Sequence, residues 1–225
     1  SADKYLGEYH RLGSEILHNP VDTSLFTPAE DWPGAARILV AGSHWSAYRV
    51  LVAVETLSKI RKSFSNAALL VAGRFCWRTR ESEAIEEVKQ YAKKLQVDDH
   101  IEFYGSYSQQ DAPDLFRSWT LLLHTKYNDP CPRLVVEAMS CGLPIVYSAT
   151  GGVPELVGEE AGFGVPGPLD WEKDHPPDAD LLAIGVEKVL SDLKLYSSAA
   201  RQRAVDSFDV SPWLDRHAEI FESVL

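Results

Sequence analysis

Residues 120–148 read TLLLHTKYNDPCPRLVVEAMSCGLPIVYS. Two short apolar runs in this stretch, Thr120 to Thr125 and Ile145 to Ser148, are typical of strands buried in a parallel sheet. Between them Val135 and Ala138 recur at helical spacing, so we predict a helix whose apolar face packs on that sheet. The stretch is therefore a strand, a helix and a second strand in succession.

The same alternation runs through most of the chain. Three more strands are predicted upstream, at Arg37 to Ala41, Ala67 to Ala72 and Ile101 to Tyr104. Strand followed by helix, repeated five times with short connections, predicts an α/β fold with a doubly wound, Rossmann-like parallel sheet and right-handed crossovers. Ligands of such sheets bind at the carboxyl ends of the strands.

The two ends of the chain differ from this pattern. A short helix is predicted at Ala2 to Leu12, and Asn19 to Pro33 has the Pro-, Asp- and Thr-rich composition of a linker. We interpret residues 1–34 as the end of a preceding domain with an interdomain linker. Residues 35–208 then form the sheet domain, and residues 209–225 form a final helix with an apolar face.

Composition narrows the class of protein and of site. A net charge of −11 argues against nucleic-acid binding, which relies on clustered Lys and Arg. Three scattered cysteines predict no disulfide framework, and the seven histidines show no metal spacing, so we expect neither a metal nor a cofactor.

No run approaches the roughly 20 apolar residues of a membrane span. We expect a cytoplasmic protein whose contact with a membrane surface, where it occurs, is peripheral.

The helix inside the quoted stretch predicts an anion site. Pro132 suits the first helical position because it lacks an N–H, which leaves the amides of Arg133, Leu134 and Val135 pointing forward. These amides and the helix dipole together attract a phosphate. Glu137 lies one turn further along, where its carboxylate is within reach of hydroxyls beside that phosphate.

A glycine pair after the next strand predicts a second contact with the same ligand. Gly151 and Gly152 follow a strand end and precede a short helix with Pro near its first turn, and glycines let a ligand approach the backbone closely. Two such turns after successive strands indicate a diphosphate lying across the switch point of the sheet. The alternative role of the glycine pair is a plain tight turn. Arg74, which follows Gly73 at another strand end, is a weaker candidate for binding the same ligand.

These residues resemble a known family. Asp129 to Pro144, followed by Gly151 to Val157, is similar to the retaining glycosyltransferases of the GT-B fold, in the large family 4 type called glycosyl transferases group 1. The resemblance covers nearly the whole chain and implies the C-terminal, donor-binding domain of that architecture. It also implies that Asn19 to Phe26 is the interdomain linker and that the final helix crosses back to the first domain.

The resemblance assigns roles to two acidic residues. In that family two acids flank seven other residues, and Asp129 and Glu137 have this spacing. It implies that Asp129 contacts the donor sugar and that Glu137 contacts the nucleotide ribose. Asp129 is one methylene shorter than the usual Glu, and a turn before Pro130 is its alternative role.

The sequence departs from the family pattern after its first strand. The family usually has Gly-Arg there and Lys-Gly a few residues later, and these cations hold the donor diphosphate. In this chain Gly42 is followed by Ser43 in place of the Arg, and Tyr48 stands at the ungapped Lys position. Arg49, one residue later, is the available substitute, although Lys and Arg are not interchangeable where geometry is tight.

The resemblance implies an enzyme that transfers a hexose from a nucleotide diphosphate sugar to a carbohydrate or glycolipid acceptor, with retention and without a divalent metal. We expect this chain to hold the donor, to depend on a preceding domain for the acceptor, and to be inactive alone. Two alternatives remain open, because fold does not fix function. One is a catalytically degenerate partner or scaffold subunit, and the other is a nucleotide-sugar epimerase of the same fold.

Overall fold

The computed structural model describes residues 16–30 and 36–223. The helix predicted for Ala2 to Leu12 lies outside these residues. Within them the chain forms a single parallel sheet with helices on both faces, and this confirms the predicted doubly wound α/β fold.

Six strands form the sheet in the order β3-β2-β1-β4-β5-β6, and all neighbouring pairs are parallel. The strands are β1 (Arg37–Ala41), β2 (Ala68–Ala72), β3 (Ile101–Gly105), β4 (Leu121–His124), β5 (Ile145–Ser148) and β6 (Gly162–Val165). Five of them match the predicted positions. The order runs outward in opposite directions from β1 and β4, so the sheet has its topological switch point between these two strands.

Strand β6 was not predicted from the sequence because two glycines interrupt its apolar run. Gly162 is required there by packing, since a Cβ at this position would lie only 2.0 Å from the carbonyl oxygen of Ile145 on β5. The glycine therefore permits the close approach of an edge strand, although glycine ordinarily weakens a strand.

Eight helices are described along residues 16–30 and 36–223: α1 (Tyr48–Ile60), α2 (Glu81–Lys94), α3 (Ala112–Arg117), α4 (Arg133–Ser140), α5 (Val153–Val157), α6 (Ala179–Ser191), α7 (Leu193–Phe208) and α8 (Val210–Ser223). Consecutive strand residues such as Ile38 and Leu39 point to opposite faces and enter separate apolar clusters. One cluster joins the sheet to α1, α2 and α6, and the other joins it to α3, α4, α5 and α7. Both faces of the sheet are thus covered, as parallel sheets require.

The segment before β1 is attached to the far end of this domain. The Val21 amide donates to the Phe208 carbonyl at 2.8 Å, and the side chain of Phe26 is buried in the core. Arg201 on α7 donates to the carbonyls of Phe26 and Ser140, both at 2.8 Å. Residues 21–26, predicted as linker, therefore pack as part of the domain, while the predicted boundary at residue 34 stays a prediction.

Helix α8 lies where a final helix was predicted, and none of its described residues is buried. Leu214 is 56% exposed and Phe221 is 63% exposed. The rings of Trp213 and His217 stack on each other with centroids 3.6 Å apart. That this helix crosses back to another domain stays a prediction. Among the residues that the structure describes, no helix is long and apolar enough to span a membrane.

Candidate functional site

A cavity of about 220 Å³ opens at the switch point, between the carboxyl ends of β1 and β4. The loop after β1 forms one wall and the loop after β4 forms the other. The polar and charged lining residues are Ser43, His44, Arg49, His124, Thr125, Lys126 and Asp129. Crevices at this point of an open α/β sheet are the usual place for a ligand.

Two glycines lie at the ends of β1 and β2, and one of them, Gly42, lines the cavity. Gly42 and Gly73 both have left-handed backbones, with φ of 114° and 106°. A Cβ on Gly73 would lie 2.0 Å from the Gly42 carbonyl oxygen, so only glycine allows the ends of β1 and β2 to approach this closely. Ser43 follows on the exposed rim of the cavity.

Arg49 brings a cation to the cavity wall. Its Nη1 donates to the Ser43 carbonyl at 3.1 Å, and its Nε is buried without a hydrogen-bond acceptor among the described residues. Tyr48 does not line the cavity; its hydroxyl accepts a hydrogen bond from the Tyr127 amide at 3.1 Å. Residue 49, rather than residue 48, is therefore the one whose charged side chain reaches this site.

Asp129 faces Arg49 from the opposite wall and is held by two neighbours. His124 Nε2 lies 3.1 Å from its Oδ2, and Lys126 Nζ lies 3.0 Å from its Oδ1. Burial by itself raises the pKa of this carboxyl, but the hydrogen bond from His124 and the Lys126 ammonium outweigh burial and hold the pKa below its ordinary value. Asp129 is therefore an ionised carboxylate inside the cavity.

His44 is a buried imidazole in the loop after β1, the wall of the cavity that also carries Ser43. Its Nε2 lies 3.1 Å from the Ala72 carbonyl oxygen, and its side chain packs on Phe75. Burial lowers the pKa of His44 to about 4; the hydrogen bond to Ala72 opposes this shift, and the nearby charges of Arg49 and His124 add to it. His44 is thus neutral at pH 7 and serves as a donor to the strand end.

Helix α4 begins one residue later than predicted. Pro132 has an extended backbone (φ −73°, ψ 113°) and is the N-cap, and Arg133 is the first helical residue. The Val135 amide donates to the Pro132 carbonyl at 3.1 Å. The prediction that this amide is free for a ligand is therefore wrong. The amides of Arg133 and Leu134 have no acceptor among the described residues. The Leu134 side chain closes the cavity next to Gly42.

Glu137 lies outside the lining of this cavity. It is 6% exposed, and its Oε1 accepts from Gln109 Nε2 at 2.9 Å, in the loop that follows β3. Arg133 Nη2 lies 3.6 Å from the same oxygen. Burial, together with the charge of Glu137, raises the pKa of Tyr107 to about 12. The cation at the start of α4 is thus paired within its own helix, and Asp129 and Glu137 do not share one cavity.

The glycine pair has a structural role that sequence reasoning missed. A Cβ on Gly151 would lie 2.5 Å from the Asp129 carbonyl oxygen, and one on Gly152 would lie 1.8 Å from that of Pro130. The Gly152 amide donates to the Asp129 carbonyl at 2.9 Å. Both glycines are required by the close packing of two loops, and the Gly152 amide is not free for a ligand. They line a second cavity of about 320 Å³ together with Pro130, Cys131 and Trp171.

A family model decides the identity of the chain. The model of glycosyl transferases group 1 matches residues 33–203. The chain belongs to this family. The prediction made from Asp129 to Pro144 and Gly151 to Val157 is thereby confirmed at the level of the family, and the sheet agrees with the Rossmann-like α/β fold of GT-B glycosyltransferases.

Three proteins that this chain resembles are longer than it is, and it matches only part of their length. It is 31% identical over 99 residues to the D-inositol 3-phosphate glycosyltransferase of Streptomyces bingchenggensis, covering 42% of this chain and 22% of the relative. Sucrose-phosphate synthase from Thermosynechococcus elongatus has the same fold (TM-score 0.77, 20% identity) over 99% of this chain and 56% of that one. Anabaena HepE, solved in complex with UDP, matches with a TM-score of 0.76 and 21% identity over 97% of this chain and 60% of its own.

Two lining residues of the glycosyltransferase chain, His124 and Lys126, were not singled out from the sequence. The signal for them is the polar sequence His-Thr-Lys that ends an otherwise apolar strand. Arg74 was singled out, but its side chain is exposed and does not line the cavity; its carbonyl accepts from the His44 amide at 2.8 Å. Within residues 16–30 and 36–223, no group of three His, Cys, Asp or Glu side chains is arranged to hold a metal ion.

Proposed function

We propose that this chain binds the nucleoside diphosphate part of a nucleotide sugar, and that the whole protein transfers a hexose from it, with retention, to a carbohydrate or glycolipid acceptor. The observation that carries the proposal is Arg49, which lines a cavity at the switch point and whose buried Nε has no acceptor among the described residues. A buried donor without an acceptor is costly, and a diphosphate oxygen in the cavity satisfies it. HepE, which shares the fold, was solved with UDP.

Each site residue has a proposed role. Arg49 and the amides of Arg133 and Leu134 neutralise the diphosphate and stabilise it as the leaving group, so no divalent metal is needed for this charge. Gly42 and Ser43 let the phosphates approach the backbone. Asp129 contacts the donor sugar from the same cavity.

Glu137 acts next to this cavity rather than inside it. Its buried carboxylate already accepts from Gln109, and a carboxylate has further lone pairs for the two hydroxyls of a ribose. A nucleoside that lies along α4 and away from Asp129 brings its ribose to this side chain. The separation of the two acids thus fits one ligand whose sugar and nucleoside ends lie apart.

The domain division completes the proposal. Residues 1–34 comprise the end of an acceptor-binding domain and a linker that packs on the donor domain through residues 21–26, residues 35–208 hold the donor, and residues 209–225 return to the first domain. The exposed apolar side chains of Leu214 and Phe221 support this role for the last segment. The three free cysteines fit a cytoplasmic enzyme, and a peripheral membrane contact is compatible with a glycolipid acceptor.

Titration calorimetry with UDP, GDP and ADP tests the donor site. We expect at least one of them to bind, and Glu137→Gln to weaken that binding about tenfold or more, because hydrogen bonds to a charged acceptor contribute roughly 1.5 to 3 kcal/mol. Glu83→Gln, an exposed carboxylate on α2 paired with Arg80, is the matched control. The assignment is wrong if no nucleoside diphosphate binds at millimolar concentration, or if Glu137→Gln leaves affinity unchanged while stability collapses.

A second candidate function is a degenerate partner subunit. Two observations favour it: Ser43 and Tyr48 stand where the family usually has cations, and both carboxylate oxygens of Asp129 are occupied by His124 and Lys126. Product analysis with the full-length protein separates the candidates. Transfer to an acceptor supports the glycosyltransferase, an isomerised donor supports an epimerase, and an unchanged donor supports the partner subunit.

A further inference from the structure

Lys126 is a second cation in the cavity. It follows β4, its side chain is 34% exposed, and its Nζ lies 3.0 Å from Asp129 Oδ1. The other oxygen of Asp129 is held separately by His124. Asp129 therefore remains anchored when Lys126 leaves it, and the ammonium is accessible from the cavity.

The charged residues that line the cavity carry more positive than negative charge. Arg49 lies on the wall after β1, Lys126 lies on the wall after β4, and Asp129 is the one carboxylate among the described lining residues. A nucleoside diphosphate carries more negative charge than a single guanidinium neutralises. The cavity thus provides cations on both sides of the space between β1 and β4, in a chain whose net charge is −11.

We propose that Lys126 is a diphosphate-binding residue that exchanges Asp129 for a β-phosphate oxygen when the donor enters. This inference rests on the proposed nucleotide-sugar site and adds to it a residue that the family pattern does not supply. The exchange has two consequences in one step. The ammonium neutralises phosphate charge, and Asp129 Oδ1 becomes free to accept a hydrogen bond from a hydroxyl of the donor sugar while His124 keeps Oδ2 in place.

The chemistry of lysine suits such an exchange. Its ammonium is a compact charge on a flexible stem with three donors, so it can turn from one acceptor to another without a fixed planar geometry. The lysine side of the pair with Asp129 is about one-third exposed, so solvent partly screens the pair, and the phosphate that enters supplies a new acceptor for the ammonium when the pair opens. Arg49, in contrast, is already fixed to the Ser43 carbonyl.

The test measures affinity for UDP by calorimetry in four forms of the chain: wild type, Asp129→Asn, Lys126→Met and the double variant. Removing the competing carboxylate releases Lys126, so we expect Asp129→Asn to bind UDP severalfold more tightly. Adding Lys126→Met to it should weaken UDP binding about tenfold relative to Asp129→Asn alone. UMP, which lacks the β-phosphate, should bind the Asp129→Asn and double variants equally.

The comparison in the Asp129→Asn background is the decisive one. If Lys126 acts only by neutralising Asp129, the double variant binds UDP as tightly as Asp129→Asn, and the inference is wrong. Lys59→Met, a lysine on α1 paired with Asp180, controls for the loss of one positive charge. Thermal melts of each variant verify that it is folded.

Failure of this inference is distinguishable from failure of the proposed function. If the wild-type chain binds UDP and Arg49→Met weakens binding, but Lys126→Met has no effect in the Asp129→Asn background, only the role of Lys126 is refuted. If neither UDP nor another nucleoside diphosphate binds the wild type, the donor site and the role of Lys126 are both refuted.

Discussion

Replacing His44 by glutamine should flatten the acid dependence of this domain's stability. The wild-type imidazole is 2% exposed and donates to the Ala72 carbonyl at the end of β2. Glutamine retains an amide donor for that carbonyl but does not titrate. The variant therefore removes one protonation equilibrium with the least disturbance of the strand end.

The magnitude follows from the two pKa values of His44. Its ordinary pKa is 6.5, and burial lowers the pKa to about 4 in the folded chain. Between these values the unfolded chain takes up a proton that the folded chain refuses, so stability falls as the pH drops from about 6.5 to about 4 and is fully present above 6.5. With roughly 1.4 kcal/mol for each pKa unit, acidification from pH 7.5 to 4.5 costs about 2 to 3 kcal/mol through this residue.

Urea unfolding at intervals between pH 7.5 and 4.5 measures this loss. The wild type should lose about 2 to 3 kcal/mol more than His44→Gln over the range, whatever the two proteins' stabilities are at pH 7.5. His100→Gln, at a partly exposed histidine before β3, controls for the removal of one imidazole. Parallel pH profiles for wild type and His44→Gln would refute the reasoning, since they would show that burial of the neutral ring does not reduce stability at low pH.

Three further substitutions test the packing around the site. Gly152→Ala should lower the free energy of unfolding by about 3 kcal/mol in urea titrations, because its Cβ would lie 1.8 Å from the Pro130 carbonyl oxygen; unchanged stability would mean that the two loops are not packed this closely. Arg201→Met should lower the free energy of unfolding by about 3 kcal/mol and speed proteolysis within residues 19–30, since the guanidinium donates to the carbonyls of Phe26 and Thr23. Equal cleavage rates in wild type and variant would show that Arg201 does not anchor this segment. Tyr127→Phe should raise hydrogen exchange in residues 167–176 with little change in melting temperature, because its hydroxyl donates to Pro168 and accepts from Asp170; unaltered exchange would show that other contacts hold the loop.

Most of the sheet could be predicted because its strands are continuous apolar runs. Four of the five located strands are such runs, since a strand covered on both faces has no reason to alternate polar and apolar residues. The fifth, β3, is an edge strand whose residues alternate between half-buried and exposed. Strand β6 was missed for a reason that lies outside its own sequence. Gly162 is a poor strand former, and its presence is explained only by the Ile145 carbonyl on the neighbouring strand.

The candidate site was predicted in outline but not in its contacts. The turns after β4 and β5 were assigned to the ends of the strands from their own residues, whereas the loop after β1 was assigned to the donor site only through the family resemblance. The pairing of Asp129 with His124 and Lys126 could not be predicted, because strand periodicity says nothing of how the loop after the strand turns back on it. The close packing of the glycine pair on the backbone near Asp129 and Pro130 could not be predicted for the same reason, and contact of these glycines with a ligand stays a prediction.

The departure at Tyr48 has a structural explanation in its contacts. The Tyr48 hydroxyl accepts a hydrogen bond from the Tyr127 amide, and the Tyr127 hydroxyl in turn bonds Pro168 and Asp170. A lysine ammonium has only donors, so it cannot accept from an amide, and a lysine at position 48 would break the first link in this chain. Tyrosine at this position therefore links α1 through the β4 loop to residues 168–170. A cation for the cavity must then come from another position, and Arg49, the next residue along α1, lines the cavity.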